Sequence, residues 1–198
     1  QAHTDGIPSM RSMVLEFTDD RMCNYTDRQY MLGDSLLVAP IFNKDGIGEY
    51  YLPDAEDGRT QIWTNFFTGK EQAGGKWYTD KYGYCDIPLM VRPNSIVAVG
   101  ASDDGPEYDY ADNVLLRIFA LENGREASTT VYDMQGNIDL TVKAVKKYDK
   151  ITIKTDTKKP YRVELVNVDI SSITGAKVQM DGDRAILTEC KNEIIVEI

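Results

Sequence analysis

Closely spaced turn signals in the second half of the chain constrain its fold more than any other feature. Four of them interrupt short apolar stretches: Asn123-Gly124, Gly136-Asn137, Tyr148-Asp149-Lys150 and Asp181-Gly182. Apolar and polar residues alternate between the breaks, as at 151–154 and 162–165. Such alternation buries one face of a strand and leaves the other in water. We therefore predict an antiparallel β-sandwich over residues 113–198, with a hairpin at Asn123-Gly124.

The middle of the chain also reads as β structure. Runs at 49–53, 60–64, 87–93 and 95–100 are rich in branched and aromatic residues, and Gly69 and Gly74-Gly75 supply turn signals between them. Residues 101–112 are acidic and contain Gly-Pro. This composition is typical of a linker, so we predict one there, between β regions at 43–100 and 113–198.

The first 42 residues show a different pattern. Met13-Val14-Leu15 is an apolar run without alternation, which is typical of a parallel strand buried on both faces. Thr26 and Gln29 have the spacing of a capping box, and Gly33 stands where a helix would end. We therefore predict a strand near 8–17, a short helix at 27–32 and another strand at 36–42.

Charge and cysteine content exclude some functions. The formal net charge of −10 argues against a protein that neutralises nucleic-acid phosphates. No apolar run approaches the roughly 20 residues of a membrane span. Cys23, Cys85 and Cys190 are far apart and form no C-x-x-C motif, which predicts three reduced thiols in a cytoplasmic protein.

A series of motifs in fixed order is the most specific signal in the first half. It comprises G-x-P-x-x-R at 6–11, E-F-x-D-D at 16–20, D-x-Q-Y-M-L-G-D-x-L-L-V-A-P at 27–40, Y-L-P at 51–53, Trp63, and I-P-L-x-V-R-x-x-S-I at 87–96. The series resembles the end of the catalytic barrel and the proximal C-terminal domain of glycoside hydrolase family 31. The later segments 105–110 and 116–121 look more like the α-xylosidase branch than the α-glucosidase branch.

The resemblance implies a mainly β fold that follows the last strand and short helix of a (β/α)8 barrel. On this basis we expect residues 1–42 to end the barrel and residues 43–100 to form the proximal C-terminal β domain. Residues 101–112 would be the linker, and residues 113–198 the distal β-sandwich. We expect the N-terminal catalytic portion of the same enzyme as partner, and homo-oligomers are possible.

The implied activity is retaining hydrolysis of terminal α-xylosyl residues from an α-linked oligosaccharide, with an α-glucosidase of the same family as the alternative. Retaining enzymes use two carboxyl groups about 5–5.5 Å apart. In the family both are aspartates on earlier barrel strands, so we expect no catalytic residue in this chain and no activity from it alone. Neither a metal nor a cofactor is implied.

Several residues are candidates for binding sites. Asp19 and Asp20 follow the presumed strand and could lie at the barrel rim, where substrate binds in such folds. Asp34 and the sole histidine, His3, match no catalytic motif, and a surface role is expected for His3. Acidic residues at 103–112 lack the spacing of a calcium loop. Aromatic residues could form a sugar-stacking platform, but packing is the expected use: Trp63, Phe66, Phe67, Trp77, Tyr78, Tyr82 and Tyr84.

A function of another class remains open. The chain could be a stand-alone carbohydrate-binding β module that uses those aromatic residues. That hypothesis requires residues 8–42 to belong to the module's own core. A lone parallel strand would have no sheet to join within 198 residues, which favours the enzyme hypothesis.

Overall fold

The computed structural model describes Ala2 and residues 5–198, and these are mainly β structure. The mainly β prediction is therefore confirmed. The chain divides into two compact units, Gln1–Pro93 and Asn94–Ile198, which are described separately below. No helix in the described part of the chain is long and apolar enough to cross a membrane.

The described residues of the first unit form eight strands, one helical turn and one 3-10 helix. The strands are β1 Met10–Ser12, β2 Tyr30–Leu32, β3 Leu36–Val38, β4 Ile47–Leu52, β5 Ile62–Asn65, β6 Glu71–Ala73, β7 Lys76–Lys81 and β8 Leu89–Val91. The helical turn is α1, Met13–Glu16, and the 3-10 helix is Arg21–Tyr25. Six strands form one sheet in the order β1-β2-β3-β8-β5-β6, and β4 pairs with β7. All of these pairs are antiparallel.

The predictions for residues 8–32 are partly wrong. β1 is antiparallel to β2, and the apolar run that begins at Met13 forms α1 instead of a parallel strand. The helix predicted at 27–32 is absent, because its capping residues are used elsewhere. The Thr26 hydroxyl donates to the Cys23 carbonyl at 3.1 Å, and the Gln29 side chain bonds the backbone of Tyr51. Gly33, with φ +63°, lies in the β2–β3 turn.

The core of the first unit is built around aromatic rings. Trp63 is fully buried; its indole N–H donates to the Pro53 carbonyl at 2.9 Å, and its ring lies 6.2 Å from that of Phe17. The core cluster includes Met13, Phe17, Cys23, Met31, Leu37, Ala39, Tyr50, Tyr51, Leu52, Trp63 and Met90. Residues from 13–39 therefore share one core with residues from 50–90.

The second unit consists of two facing five-stranded sheets. Its strands are β9 Ser95–Val99, β10 Val114–Phe119, β11 Glu126–Tyr132, β12 Ile138–Lys147, β13 Lys150–Thr155, β14 Tyr161–Val166, β15 Ser172–Thr174, β16 Lys177–Asp181, β17 Arg184–Thr188 and β18 Glu193–Glu197. The sheet orders are β16-β17-β14-β10-β9 and β11-β12-β13-β18-β15. Every pair is antiparallel except β10–β14. An aliphatic core that draws on both sheets makes this unit a β-sandwich.

Three of the four turn predictions for this unit are confirmed. Gly136-Asn137, Asp149 and Asp181-Gly182 lie in or beside the β11–β12, β12–β13 and β16–β17 hairpins. Asn123-Gly124 is not a hairpin, because it connects β10 in one sheet to β11 in the other.

The predicted alternation of buried and exposed residues holds for β13 but not fully for β14. Ile151 and Ile153 are buried, and Lys154 is exposed. Glu164, predicted to face water, is buried with 3 % exposure and pairs with Arg117 at 2.7 Å.

The division between the units falls after Pro93, seven residues before the predicted end of the proximal domain at residue 100, because β9 pairs along its length with β10. The domain bounds 1–42, 43–100, 101–112 and 113–198 stay a prediction. The same is true of the barrel role of residues 1–42, although β1, β2 and β3 lie in one sheet with β8, β5 and β6.

Candidate functional site

The two aspartates predicted at a barrel rim have different environments. Asp20 precedes the 3-10 helix, and its carboxylate accepts a hydrogen bond from the backbone N–H of Met22 at 3.0 Å. The other carboxylate oxygen accepts from the Tyr51 hydroxyl at 2.8 Å. Asp19 is exposed in the preceding turn, and Asp34 is exposed in the β2–β3 turn. Asp20 therefore has a structural role in capping, and Asp19 remains open to solvent.

Tyr51 anchors Asp20 to the sheet. Burial, and then the hydrogen bond to Asp20, raise the pKa of Tyr51 well above its usual value, so its hydroxyl remains a neutral donor. The Gln29 amide bonds the Tyr51 carbonyl and N–H, both at 2.7 Å. The Trp77 ring lies 5.5 Å from the Tyr51 ring. These contacts fix the loop that carries Asp19 and Asp20 to β4.

A shallow depression of about 270 Å³ lies on the same side of β4. Its lining combines aromatic and polar side chains: Tyr25, Thr26, Asp27, Arg28, Gln29, Glu49 and Trp77. Tyr25 and Trp77 are 75 % and 42 % exposed. The depression lies beside the predicted rim residues, but neither Asp19 nor Asp20 lines it.

The Glu-Phe pair of the E-F-x-D-D motif serves packing and charge pairing. Glu16 pairs with Arg11 at 2.6 Å and with Arg92 at 3.3 Å. The Arg92 guanidinium lies 4.7 Å from the centre of the Phe17 ring, and Phe17 is buried in the core. The cluster therefore ties β1 and α1 to the residue that follows β8.

Exposed apolar side chains are concentrated in β1, α1, the 3-10 helix and β2, and we refer to Met10, Val14, Leu15, Met22 and Leu32 together as the apolar face. Met10 and Leu32 are directly opposite each other in the β1–β2 pair, and both are exposed. Val14, Leu15 and Met22 are 44 %, 56 % and 40 % exposed. Clustered apolar exposure of this kind marks interaction surfaces more often than single exposed residues do.

A larger groove, of about 640 Å³, lies between the loops 40–46 and 82–87 of the first unit. Its lining is Pro40, Ile41, Asn43, Lys44, Asp45, Gly46, Tyr82, Gly83, Tyr84, Asp86 and Ile87. Burial raises the pKa of the Tyr82 hydroxyl, so it is a neutral hydrogen-bonding group. Sequence reasoning missed Asn43, Asp45 and Asp86, because the two loops are about 40 residues apart. The available signal was Asp45-Gly46 in the first loop and Gly83 between two tyrosines in the second.

The aromatic residues that could have formed a sugar-stacking platform do not form one surface. Trp63 is in the core, and Trp77 packs on Tyr51. Tyr78 stacks on Tyr50 at 5.7 Å, and the rings of Phe66 and Phe67 meet edge to face. Tyr82 and Tyr84 alone in this set line the 640 Å³ groove.

Among the described residues, no cluster of three or more His, Cys, Asp or Glu side chains could hold a metal ion. In the acidic segment, Asp109 pairs with Lys159 at 2.8 Å. His3 lies outside the described residues. All three cysteines are free, and burial raises the pKa of Cys23 to about 12 and of Cys190 to about 11, so neither is an activated nucleophile.

Two family models match the chain in order. The Glycosyl hydrolase family 31 C-terminal domain matches residues 6–97, and the Alpha-xylosidase YicI C-terminal domain matches residues 109–198. The first match includes residues 6–42, and the second falls within the second unit.

Curated relatives agree with these models. The chain is 39 % identical over 115 residues to an alpha-xylosidase of Emericella nidulans, covering 57 % of this chain and 15 % of the relative. It is 33 % identical over 153 residues to the alpha-xylosidase XylQ of Lactiplantibacillus pentosus, covering 76 % and 19 %. The neutral alpha-glucosidase AB of Homo sapiens is 32 % identical over 98 residues, which are 49 % of this chain and 10 % of the relative. The chain therefore spans less than a fifth of the length of these relatives.

Solved structures show the same fold. A cycloalternan-forming enzyme from Listeria monocytogenes has a TM-score of 0.80 at 18 % identity over 99 % of this chain and 21 % of that chain. A dextranase from Flavobacterium johnsoniae has a TM-score of 0.78 at 17 % identity over 100 % and 30 %.

Proposed function

Because the chain belongs to glycoside hydrolase family 31, by the C-terminal domains and on the α-xylosidase side of the family, we propose that it is the C-terminal part of a retaining α-xylosidase. The whole enzyme would remove terminal α-xylosyl residues from an α-linked oligosaccharide. The observation that carries this proposal is the order of the two family models along the two units.

The reacting carboxylates would lie outside this chain. Retaining hydrolysis needs a nucleophile and an acid/base about 5–5.5 Å apart, and burial or a neighbouring carboxylate must raise the pKa of the acid. Two carboxylates of the motif region have other roles, since Glu16 is paired with two arginines and Asp20 caps a helix. On this proposal the chain alone hydrolyses nothing.

The mechanical role of the chain follows from its apolar face. Met10, Val14, Leu15, Met22 and Leu32 would pack against the N-terminal catalytic portion, which removes their apolar surface from water at about 25 cal/mol per Å². The Arg11–Glu16–Arg92 cluster would hold β1 and α1, which carry part of this face, in a fixed arrangement. The first unit would thus contribute stability to the catalytic portion.

Asp19 and Asp20 remain our candidates for a contact with substrate at the barrel rim. Support comes from the exposure of Asp19 and from the bracing of its neighbour by Tyr51. The test is Asp19→Asn in the assembled enzyme, which should raise KM with little change in kcat. Asp34→Asn is the matched control, because Asp34 is also exposed in a turn. Equal effects of the two changes would remove Asp19 from the site.

The activity is tested with aryl α-xyloside and aryl α-glucoside. The chain is assayed alone and together with the N-terminal portion of the same enzyme. We expect no turnover by the chain alone and faster cleavage of the xyloside by the pair. Equal or faster cleavage of the glucoside would favour the alternative, an α-glucosidase. Turnover by the chain alone would contradict the placement of the catalytic aspartates.

The carbohydrate-binding module has one specific observation in its favour. Met13, Phe17, Cys23, Met31 and Leu37 belong to the first unit's own core, so the argument that a lone parallel strand would have no sheet to join is wrong. The exposed apolar face still favours the enzyme. A monodisperse chain that binds glycans and shows no affinity for an N-terminal portion would support the module instead.

A further inference from the structure

The 640 Å³ groove of the first unit has a rigid floor. Tyr82 donates its backbone N–H to the Gly46 carbonyl at 2.8 Å. A Cβ on Gly46 would lie 2.6 Å from the Tyr82 carbonyl oxygen, and a Cβ on Gly48 would lie 2.8 Å from the Tyr82 ring. Gly46 also has φ +72°. Only glycine therefore allows the two loops to approach this closely.

One wall and the floor of the groove are held by hydrogen bonds. The Asn43 amide donates to the Ile47 carbonyl at 2.5 Å, and its oxygen accepts from the backbone N–H of Asp45 and Ile47 at 3.2 and 2.9 Å. In the floor, the Tyr82 hydroxyl donates to the hydroxyl of the buried Tyr50 at 3.4 Å. A pre-formed groove loses little conformational entropy when a ligand binds.

Three lining side chains have no ion pair or side-chain hydrogen bond within the part of the chain that the structure describes. Tyr84 is fully exposed at the end of its loop. Asp45 and Asp86 line the groove, and within the described residues their carboxylates form no ion pair and no side-chain hydrogen bond with another residue. A carboxylate accepts up to four hydrogen bonds, and a tyrosine ring offers a large apolar surface at small entropic cost.

These groups suit a neutral, hydroxyl-rich ligand. Sugar rings present apolar faces of C–H groups that pack on aromatic rings and hydroxyls that donate to carboxylates. The lining carries two carboxylates, Asp45 and Asp86, against one cation, Lys44. An anionic ligand would therefore meet a net negative groove in a chain of net charge −10. The volume of about 640 Å³ lies within the roughly 300–1,000 Å³ range of small-molecule sites.

We propose that this groove binds two or three residues of a neutral oligosaccharide. Tyr84 stacks on one sugar ring, Asp45 and Asp86 accept hydrogen bonds from its hydroxyls, and Tyr82 forms the floor. The site needs no catalytic residue and goes beyond the proposed hydrolysis.

Binding is measured by isothermal titration calorimetry and by saturation-transfer NMR on the 198-residue chain and on the enzyme assembled with its N-terminal portion. The probes are a xyloglucan heptasaccharide and isomaltotriose, with a galacturonic acid trimer as the anionic comparison. We expect a neutral probe to bind in both samples and the anionic trimer to bind at least about 10-fold more weakly, by the charge argument above.

Tyr84→Ala should weaken binding about 5- to 10-fold, the range of an aromatic contact, and Tyr84→Phe should retain it. Asp86→Asn should weaken it about 10-fold, because a charged acceptor is lost. Tyr148→Asn is the matched control, since Tyr148 is 79 % exposed in the second unit and asparagine tolerates its φ of +55°. Melting temperature and near-ultraviolet circular dichroism verify that each variant is folded.

The outcomes separate this proposal from the proposed activity. Binding that survives Tyr84→Ala and Asp86→Asn overturns the groove site, as does binding by the chain alone that vanishes in the assembled enzyme. Absence of binding by any neutral probe to the folded chain also overturns it. Each of these results leaves xyloside cleavage untouched, and loss of cleavage with retained binding would contradict only the proposed activity.

Discussion

The two units bury apolar surface to different extents. Among the described residues, fourteen exposed large apolar side chains belong to the first unit and six to the second, although the second is longer. The second unit encloses an aliphatic core between two sheets. The first has an aromatic core and leaves the outside of β1, α1 and β2 uncovered. The second unit therefore buries its large apolar side chains more completely, and we propose that the N-terminal catalytic portion covers those that the first unit leaves exposed.

The strongest test of the first unit removes its central ring. Trp63→Ala should lower the free energy of unfolding of this unit by about 3–5 kcal/mol, because a fully buried indole leaves a cavity and the Pro53 carbonyl loses its donor. Trp77 then remains as a fluorescence probe of the first unit during urea unfolding.

Trp63→Phe is the control, since it keeps a ring and loses only the N–H, and it should have a smaller effect. The part of the far-ultraviolet circular dichroism change that does not coincide with the Trp77 transition reports the second unit. If that part moves to a lower urea concentration by the same amount, the two units are not independent.

The second unit is tested at its buried ion pair. Arg117→Met leaves Glu164 buried, with Arg184 at 3.6 Å as a remaining partner, so we expect a loss of about 3 kcal/mol at pH 7. The double variant Arg117→Met/Glu164→Leu should recover most of it, because no buried charge remains. Denaturant unfolding measures the free energy of unfolding of both variants. If Arg117→Met is as stable as the parent, the Arg117–Glu164 pair is open to water.

A pH-dependent contribution is expected from Lys159. Its hydrogen bonds to Asp109 and Asp139 raise the pKa of Lys159, and the same contact lowers the pKa of Asp109. The Asp109 contribution is present above the unfolded pKa of about 3.9 and is lost as pH falls through the lower folded value. The Lys159 contribution is present below about 10.4 and is lost as pH rises through the higher folded value.

Lys159→Met should therefore lower Tm most between roughly pH 4 and pH 10, and the difference from the parent should shrink at both ends. Lys158→Met, at an exposed neighbouring position, is the control. A Tm difference that stays constant from pH 2 to pH 7 would contradict the role of Asp109.

The smallest stability effect is expected on the apolar face. Leu15→Ser should change the free energy of unfolding of the chain alone by less than about 0.5 kcal/mol, because Leu15 is 56 % exposed. The same change should weaken association with the N-terminal portion, which analytical ultracentrifugation measures. Val178→Ser, 45 % exposed in the second unit, should leave association unchanged.

Local signals in the sequence predicted most of the second unit. Gly136-Asn137 and Asp181-Gly182 specify hairpins through contacts a few residues apart, and the alternation around Ile151 and Ile153 specifies a buried face. The hairpin predicted at Asn123-Gly124 is wrong, because a turn sequence does not determine which sheet the next strand joins. The prediction that Glu164 faces water is wrong, because its buried partner, Arg117, lies 47 residues away in the sequence.

The first unit was less predictable for the same reason. Thr26 and Gln29 have the spacing of a helix cap, yet Gln29 bonds Tyr51, 22 residues later, and this pairing favours a strand. The groove depends on the approach of two loops through Gly46 and Gly48. Asp19 and Asp20 were located by motif order, but only the structure distinguishes the capping residue from the exposed one.

The most direct test of the central claim is hydrogen–deuterium exchange of the chain with and without the N-terminal portion of the enzyme. We predict that amides of residues 10–32 exchange at least about 10-fold more slowly in the assembled enzyme, because the apolar face becomes covered. Amides of β10, β12 and β14 should exchange equally in both samples. Unchanged exchange at residues 10–32, with the two portions shown to be associated, would contradict the claim that the first unit is completed by the catalytic portion.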